Sequence, residues 1–350
     1  MDIIAGIQQV GIGVPDVYAA QKWYKEILGY DVAIFDEAAE ANLMLPYTDN
    51  KPQSRHAVLA YNMRGGGGFE IWQYTSRTPI FPSFDIQLGD LGIFACKIKS
   101  AEIQKAYNTI KAKGVDVITE LKQAPNGKLH FFIKDPYNNI FEIEENQECL
   151  LDLDKITSGN SGVIIGVKDI EASKVFYSQI LGYDTVEYEK AGIFEDLEGL
   201  AGSSFECKRV LLSHSKERVG AFSPLLGNST IELIQVQNRE PVNIYKDRLW
   251  GDLGYIHLCY DVLDMSKIKT KCESLGHPFT VDSANSFDMG EAAGHFTYVE
   301  APEGTLIEFV ETHKIPIIKK IGWYLNLKKR GQTKPLPKWF FKLLASTRKV

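Results

Sequence analysis

Cysteine is scarce in this sequence and badly placed for either of its usual structural tasks. The five present (Cys96, Cys149, Cys207, Cys259 and Cys272) are odd in number and show no Cys-x-x-Cys spacing. That argues against a disulfide framework and against a zinc–thiolate site, and it points to a reducing, cytoplasmic setting. Long apolar runs are missing too, so no membrane-spanning helix is expected. The stretch from Met1 to Gln9 lacks the basic region and apolar core of a secretory signal. The glycine run Arg64-Gly65-Gly66-Gly67-Gly68 is followed by neither Lys-Ser/Thr nor a helical pattern, which favours a flexible hairpin turn over a phosphate loop. No Ser-His-Asp or Cys-His grouping has a supporting context.

Acidic residues are absent from one segment altogether. Between Lys314 and Val350 stand eleven Lys and Arg and no Asp or Glu. The rest of the chain holds 28 basic residues against 45 acidic ones, so a net charge of -6 hides a body near -17. Such a body repels phosphates and makes nucleic acid a poor partner. The basic segment also carries Ile317, Ile318, Trp323, Tyr324, Trp339, Phe340, Phe341 and Leu343, and Pro335 and Pro337 divide it. Residues 338–349 fit one short amphipathic helix. Two roles suit such a tail: an arm laid on its own chain or on the second copy of a homodimer, or a peripheral anchor at the inner, anionic membrane surface. A lid over a hydrophobic substrate is a variant of the second.

What is present is a repeat. Gly13-Val14-Pro15-Asp16, Trp23-Tyr24 and Ile27-Leu28-Gly29-Tyr30-Asp31 recur at identical offsets as Gly166-Val167-Lys168-Asp169, Phe176-Tyr177 and Ile180-Leu181-Gly182-Tyr183-Asp184. Each copy reads as strand, Asp-capped helix and glycine exit into a strand. A weaker repeat links Gly92, Gly114, Pro136 and Glu142 to Gly254, Gly276, Pro302 and Glu308. Four modules result, beginning near Ile3, Leu91, Ser161 and Gly254.

This pattern of strand, Val-x-Asp, helix ending in Tyr-x-x-x-Leu-Gly-Tyr, three strands and a Pro-led turn before a strand with Glu resembles the vicinal oxygen chelate superfamily. That is the family of glyoxalase I, bleomycin-resistance proteins and extradiol dioxygenases. The resemblance implies an α+β fold of four βαβββ modules forming two tandem domains, at 1–148 and 159–313. A linker at 149–158 joins them, and the basic tail at 314–350 follows. It further implies that two modules form one cupped sheet around a divalent metal, each supplying a residue from its first strand and one from its last.

Strand alternation turns Val10, Ile12 and Val14 toward the helices, and Gln9 and Gly11 toward the cavity. The last strand of module one offers Glu70. Module two offers Ile93 and Glu142, module three Gly162 and Glu232, and module four His257 and Glu308. Combining module one with module four gives Gln9, Glu70, His257 and Glu308, which resembles a complete glyoxalase I ligand set. Pairing within the second half instead gives the reduced set Glu232, His257 and Glu308. One imidazole, two carboxylates and an amide oxygen suit Zn, Ni, Co, Mn or Fe(II). By resemblance Glu308 is the general base, with Glu70 facing it across the metal. The expected chemistry is proton transfer through a metal-stabilised enediolate of a small oxygenated substrate. Tyr298, His295 and Trp72 are expected in the substrate cavity. A ring-cleaving dioxygenase with its metal in the second domain and a non-catalytic ligand-sequestering protein remain alternatives. His56, His130, His214, His277 and His313 read as surface or loop residues.

Overall fold

A computed structural model describes residues 3–284, 287–288, 293–318, 323–347 and 350. Module one comprises β1 (Ile4–Gly13), α1 (Val17–Leu28), β2 (Val32–Glu40), β3 (Ser54–Tyr61) and β4 (Gly68–Tyr74). Module two comprises β5 (Gly92–Ser100), α2 (Ile103–Ala112), the short β6 (Asp116–Val117) and β7 (Lys122–Gln123), then β8 (Leu129–Lys134) and β9 (Ile140–Glu145). Module three runs β10 (Asn160–Gly166), α3 (Ile170–Gln179), β11 (Thr185–Gly192), β12 (Cys207–Ser213), a single turn α4 (Ser223–Leu226) and β13 (Thr230–Val236). Module four runs β14 (Gly254–Val262), α5 (Met265–Ser274), β15 (Val281–Asp282), β16 (Phe287–Asp288), β17 (Ala293–Glu300), β18 (Leu306–Ile318) and β19 (Trp323–Asn326). Helix α6 (Lys338–Thr347) ends the fold.

The local signals act as their chemistry requires. Asp16 accepts from the Tyr18 and Ala19 N–H groups, and Asp169 from those of Glu171 and Ala172, so α1 and α3 both start at an aspartate cap. Gly29 leaves α1 at a φ of 71°, a left-handed conformation that a Cβ would penalise.

The strands assemble into two sheets, and each joins modules from different halves of the chain. The first has the order β15-β17-β18-β14-β1-β4-β3-β2, joining module one to module four. The second has the order β11-β12-β13-β10-β5-β9-β8-β6, joining modules two and three. One core, including Val10, Tyr24, Ile98, Phe141, Ile165 and Tyr260, occupies the helix side of both sheets. Within each half of the chain the modules are tied through buried phenols: Tyr24 donates to Asp135 at 2.7 Å and Tyr177 to Glu303 at 2.6 Å.

Two expectations about loops need correction. The glycine run does lie in the β3–β4 hairpin, but Gly65–Gly68 are all buried and held rather than free. A Cβ on Gly66, whose φ is 121°, would stand 2.5 Å from the Gly159 carbonyl carbon. Glycine is required there by close approach of the linker backbone. The basic segment is not one arm. Residues 314–318 continue β18, and β19 pairs back on it as an extension of the first sheet. The side chains of Ile317, Ile318, Trp323 and Tyr324 lie outside the described residues. Beyond them, Leu336, Phe340 and Phe341 are buried against the protein's own chain. Burial of this kind stabilises by about 2–3 kcal/mol per large side chain. Among the described residues no helix is long and apolar enough to cross a membrane.

The cupped face of the second sheet is closed. Leu197, Leu200, Phe94, Ile164 and Ile234 fill it, and beneath them lies a buried ionic network. The Lys97 ammonium bonds Glu142 and stands 2.8 Å from Glu232. Arg209 bridges Glu232 and Asp196, each at 2.7 Å. His130 lies 2.6 Å from Glu142 and 3.2 Å from Asp196. His130 is thus no surface residue: it sits on β8 at 1% exposure, drawn inward by two carboxylates. Burial alone would lower its pKa, yet the bonds to Asp196 and Glu142 override that and raise it to about 9.

Removing one side of such a network leaves charges buried without a partner. Lys97→Met is therefore expected to cost about 3–5 kcal/mol, read as a lowered urea midpoint; an unchanged midpoint would show the network to be dispensable. A second expectation concerns pH. Because the folded pKa of His130 lies above its ordinary 6.5, its contribution is complete below that pH and fades as pH rises toward 9. The stability difference between wild type and His130→Gln should be widest below pH 6.5 and narrow by pH 9, and a difference independent of pH would contradict it.

Candidate metal centre

The open face of the first sheet carries a cavity of about 420 Å³, and its polar end is built from the two central strands and their neighbours. β1 and β14 run antiparallel with Gly11 opposite His257, while β4 lies parallel to β1 with Glu70 opposite Gly11. β18 lies parallel to β14 with Glu308 opposite Cys259. Gln9, Glu70, His257 and Glu308 consequently project onto one small volume although they come from opposite ends of the chain. His257 Nε2 stands 3.3 Å from Glu70 Oε2 and 3.1 Å from Glu308 Oε2, and Gln9 Nε2 lies 3.5 Å from Glu70 Oε2. One ligand atom from each of Glu70, His257 and Glu308 falls within 4.8 Å of the others, so the three suit a single metal ion.

The hydrogen bonding supports that fit. Gln9 Oε1, His257 Nε2 and Glu308 Oε2 are buried and have no hydrogen-bond partner. The imidazole nitrogen meets only the two carboxylates, close by but without hydrogen-bond geometry to Glu308, an arrangement that a cation among them would relieve. The other imidazole nitrogen, Nδ1, faces the Tyr298 hydroxyl at 3.4 Å, which fixes the ring so that Nε2 points inward. The two carboxyls are driven apart in acidity. Burial raises Glu308, the His257 charge opposes it, and Glu70 raises it further, to about 7. Glu70 is also penalised by burial, but the bond and charge of His257, the Arg55 charge and the Gln9 bond hold it below the ordinary value.

Gly11 is part of the construction. A Cβ there would stand 2.5 Å from His257 Cε1 and 2.7 Å from Nδ1, so the missing side chain is the space in which the imidazole lies.

The register also explains the second sheet and corrects one assignment. Glu232 lies opposite Ile164, and Glu142 opposite Lys97. Counting back two residues, as from Gly11 to Gln9 and from Cys259 to His257, gives Gly162 and Ala95. Ala95, not Ile93, is therefore the counterpart of His257, while Ile164 replaces Gly11 and Lys97 replaces Cys259. The reduced set Glu232, His257 and Glu308 does not assemble, because Glu232 belongs to the other sheet and is committed to Arg209, Lys97 and Tyr188.

Among the expected cavity residues, Trp72 and Tyr298 line it. His295 does not. It is one residue out of phase with Phe296 and Tyr298, and its Nε2 lies 2.6 Å from Asp282. Sequence reasoning missed Trp250, which stacks over His257 with ring centroids 6.5 Å apart and an interplanar angle of 14°. Trp250 comes from the irregular stretch between modules three and four, where no periodicity marks it. It is held by Trp72 at 4.8 Å and by the Tyr74 hydroxyl, which donates to its carbonyl. Arg55 and Glu37, bonded to each other at 3.3 Å, also line the cavity and carry no motif that marks them in the sequence.

Four βαβββ modules are joined crosswise into two cups, one of which carries an amide–carboxylate–imidazole–carboxylate cluster that could hold a metal ion. Residues 6–143 match the family model of the Glyoxalase/Bleomycin resistance protein/Dioxygenase superfamily, the vicinal oxygen chelate group that the module pattern resembles. A mutant of glyoxalase I from Zea mays is similar at 15% identity and a TM-score of 0.55, covering 87% of this chain and 93% of that one. A putative dioxygenase from Bacillus subtilis is similar at 13% identity and a TM-score of 0.56, covering 89% and 86%. At these identities the likeness is one of fold. No curated protein matches the chain by sequence.

Gly11→Ala must displace the His257 ring, and it is expected to weaken divalent-metal affinity about 10- to 100-fold with the fold intact, measured by chelator competition. Wild-type affinity in that variant would mean that the imidazole is not a ligand.

Proposed function

We propose that the protein is a metal-dependent enzyme of the glyoxalase and epimerase type, moving a proton at a carbon beside a carbonyl in a small oxygenated substrate. The observation carrying this reading is the convergence of Gln9, Glu70, His257 and Glu308, with His257 Nε2 standing between the two carboxylates. These four residues would hold one divalent ion, of the Zn, Ni, Co, Mn or Fe(II) kind, and that ion would draw charge from adjacent substrate oxygens as the C–H bond breaks. Glu308 takes the proton: burial and the neighbouring Glu70 charge raise its pKa to about 7, whereas the imidazole, Arg55 and Gln9 hold Glu70 below the ordinary value. Tyr298 orients the imidazole through Nδ1, and Trp72 and Trp250 keep water from that end of the cavity.

The walls bear on the substrate. Phe35, Leu43, Met44, Leu59, Phe296 and Val310 give the cavity an apolar wall beside a polar one that includes Glu37, Glu40 and Asn42. Arg55 is the one Lys or Arg among the lining residues described, and Glu37 already engages it. A substrate with an apolar body and at most one negative charge fits better than a multiply charged thiol such as glutathione. Ring cleavage of the two-histidine, one-carboxylate type is disfavoured, because the cluster contains one imidazole. The same reading treats 1–148 and 159–313 as two tandem cytoplasmic domains that exchange modules, leaving one working site and one filled by Lys97.

Metal analysis of the purified chain tests this, with about one ion expected per chain and none in His257→Ala. Glu142→Gln, in the second cup, should keep the ion. Glu308→Gln should slow exchange of a substrate C–H for solvent deuterium about 10²- to 10⁴-fold across a panel of α-hydroxycarbonyl compounds. A metal-free protein that binds an aromatic ligand without turnover would overturn the proposal in favour of sequestration. Fe(II) with oxygen uptake on catechols would overturn it in favour of ring cleavage.

A further inference from the structure

The C-terminal arm is fastened by its apolar side chains and leaves five of its described lysines without a carboxylate partner. Leu327, Leu336, Phe340 and Phe341 are buried, and the Leu336 N–H donates to the Ala221 carbonyl at 2.9 Å. Lys328, Lys329, Lys334, Lys338 and Lys342 are exposed, and among the described residues none of them has a carboxylate partner. This is unexpected on a body so rich in acid. An arm held by charge would spend its lysines on the carboxylates beneath it. Here the lysines face outward.

The outer face of α6 adds a second feature. Trp339 is 61% exposed and Leu343 38%, one helical turn apart on the face opposite Phe340 and Phe341. Lys342 stands beside them and Lys338 at the edge. Two large apolar side chains displayed together among cations without carboxylate partners, on a helix already folded against the body, form a surface with no partner among the described residues.

We infer that the outer face of α6, with the lysines of the preceding loop, docks on an anionic lipid bilayer. The indole of Trp339 sits at headgroup level, Leu343 reaches the acyl boundary, and the lysines lie along the anionic headgroups. Because the helix is folded beforehand, docking spends little ordering entropy. The acidic body does not forbid it, since its field is screened beyond about 8 Å at physiological salt. A nucleic acid would engage the lysines but leave Trp339 and Leu343 in water, so the lipid surface accounts for more of the face. One short helix gives weak, reversible attachment, and binding should fade with salt.

Co-sedimentation of the full chain with phosphatidylcholine vesicles, with and without about 30% phosphatidylglycerol, tests this. Sedimentation is expected with the anionic vesicles at low salt and not with phosphatidylcholine alone. The double variants Trp339→Ala with Leu343→Ala and Lys338→Glu with Lys342→Glu should each lower partitioning about tenfold, with circular dichroism and melting temperature unchanged. No sedimentation at low salt, equal sedimentation with neutral vesicles, or variants that bind as wild type would each overturn the inference. Binding of a single-stranded RNA oligonucleotide without vesicle binding would also overturn it and assign the face to nucleic acid.

Discussion

The antiparallel pairing of β1 with β14 is the constraint on which the candidate metal centre depends. It brings residues near the start of the chain against residues some two hundred and fifty positions later, and it sets Gly11 under His257. Closing so long a loop is not prohibitive, because the entropic cost grows only with the logarithm of length, about 0.6 kcal/mol per doubling. What the pairing yields is geometric. Each ligand sits on a strand whose two neighbours are hydrogen-bonded, so the four side chains are placed by sheet register rather than by loops. Rigid support of this kind is what a metal site with narrow distance tolerance demands.

The two cups show two answers to one electrostatic problem. Each buries a pair of glutamates on equivalent strands, Glu70 with Glu308 and Glu142 with Glu232. Like charges a few ångströms apart at an effective dielectric near 20 repel by about 4 kcal/mol, so a buried pair must take up a proton or gain a cation. In the second cup the chain supplies its own cations, Lys97 and Arg209 with His130, and apolar side chains close the space above them. In the first cup the protein supplies only the imidazole. The position corresponding to Lys97 is the thiol Cys259, which burial and the nearby Glu308 keep protonated. The difference between an open centre and a filled one reduces to a few substitutions: Gly11 against Ile164, His257 against Ala95, Cys259 against Lys97.

The remaining parts of the cavity come from elsewhere. Trp250 reaches it from an irregular connection and is held there by β4, its ring against Trp72 and its carbonyl by the Tyr74 hydroxyl. The strands therefore provide the cluster and much of the wall, and the connections add Leu43, Met44 and Trp250 to it. The arm is a third level, attached through Phe340 and Phe341 to the apolar cluster behind the cavity walls. Its apolar anchor points inward and its charge points outward.

The sequence by itself determined the modules, because their signals are local. Asp16 and Asp169 cap helices through their own neighbours' N–H groups, Gly29 takes a left-handed exit, and strand alternation sets which of Gln9 and Val10 faces the cavity. It also carried the four residues of the cluster, since each occupies a fixed offset within its module. Which modules share a sheet was open, because hydrogen bonds between strands carry no sequence label. Local pattern also misjudged His130 and the glycine run: only the packed structure brings Glu142 and Asp196 to that imidazole, and the Gly159 backbone against Gly66. His295 was misplaced by a single residue of strand phase, which a period of two converts into the opposite face. Tertiary structure alone decided the wall formed by Trp250 and the outward turn of the arm's lysines, because burial depends on what lies opposite, and that is fixed only when distant segments meet.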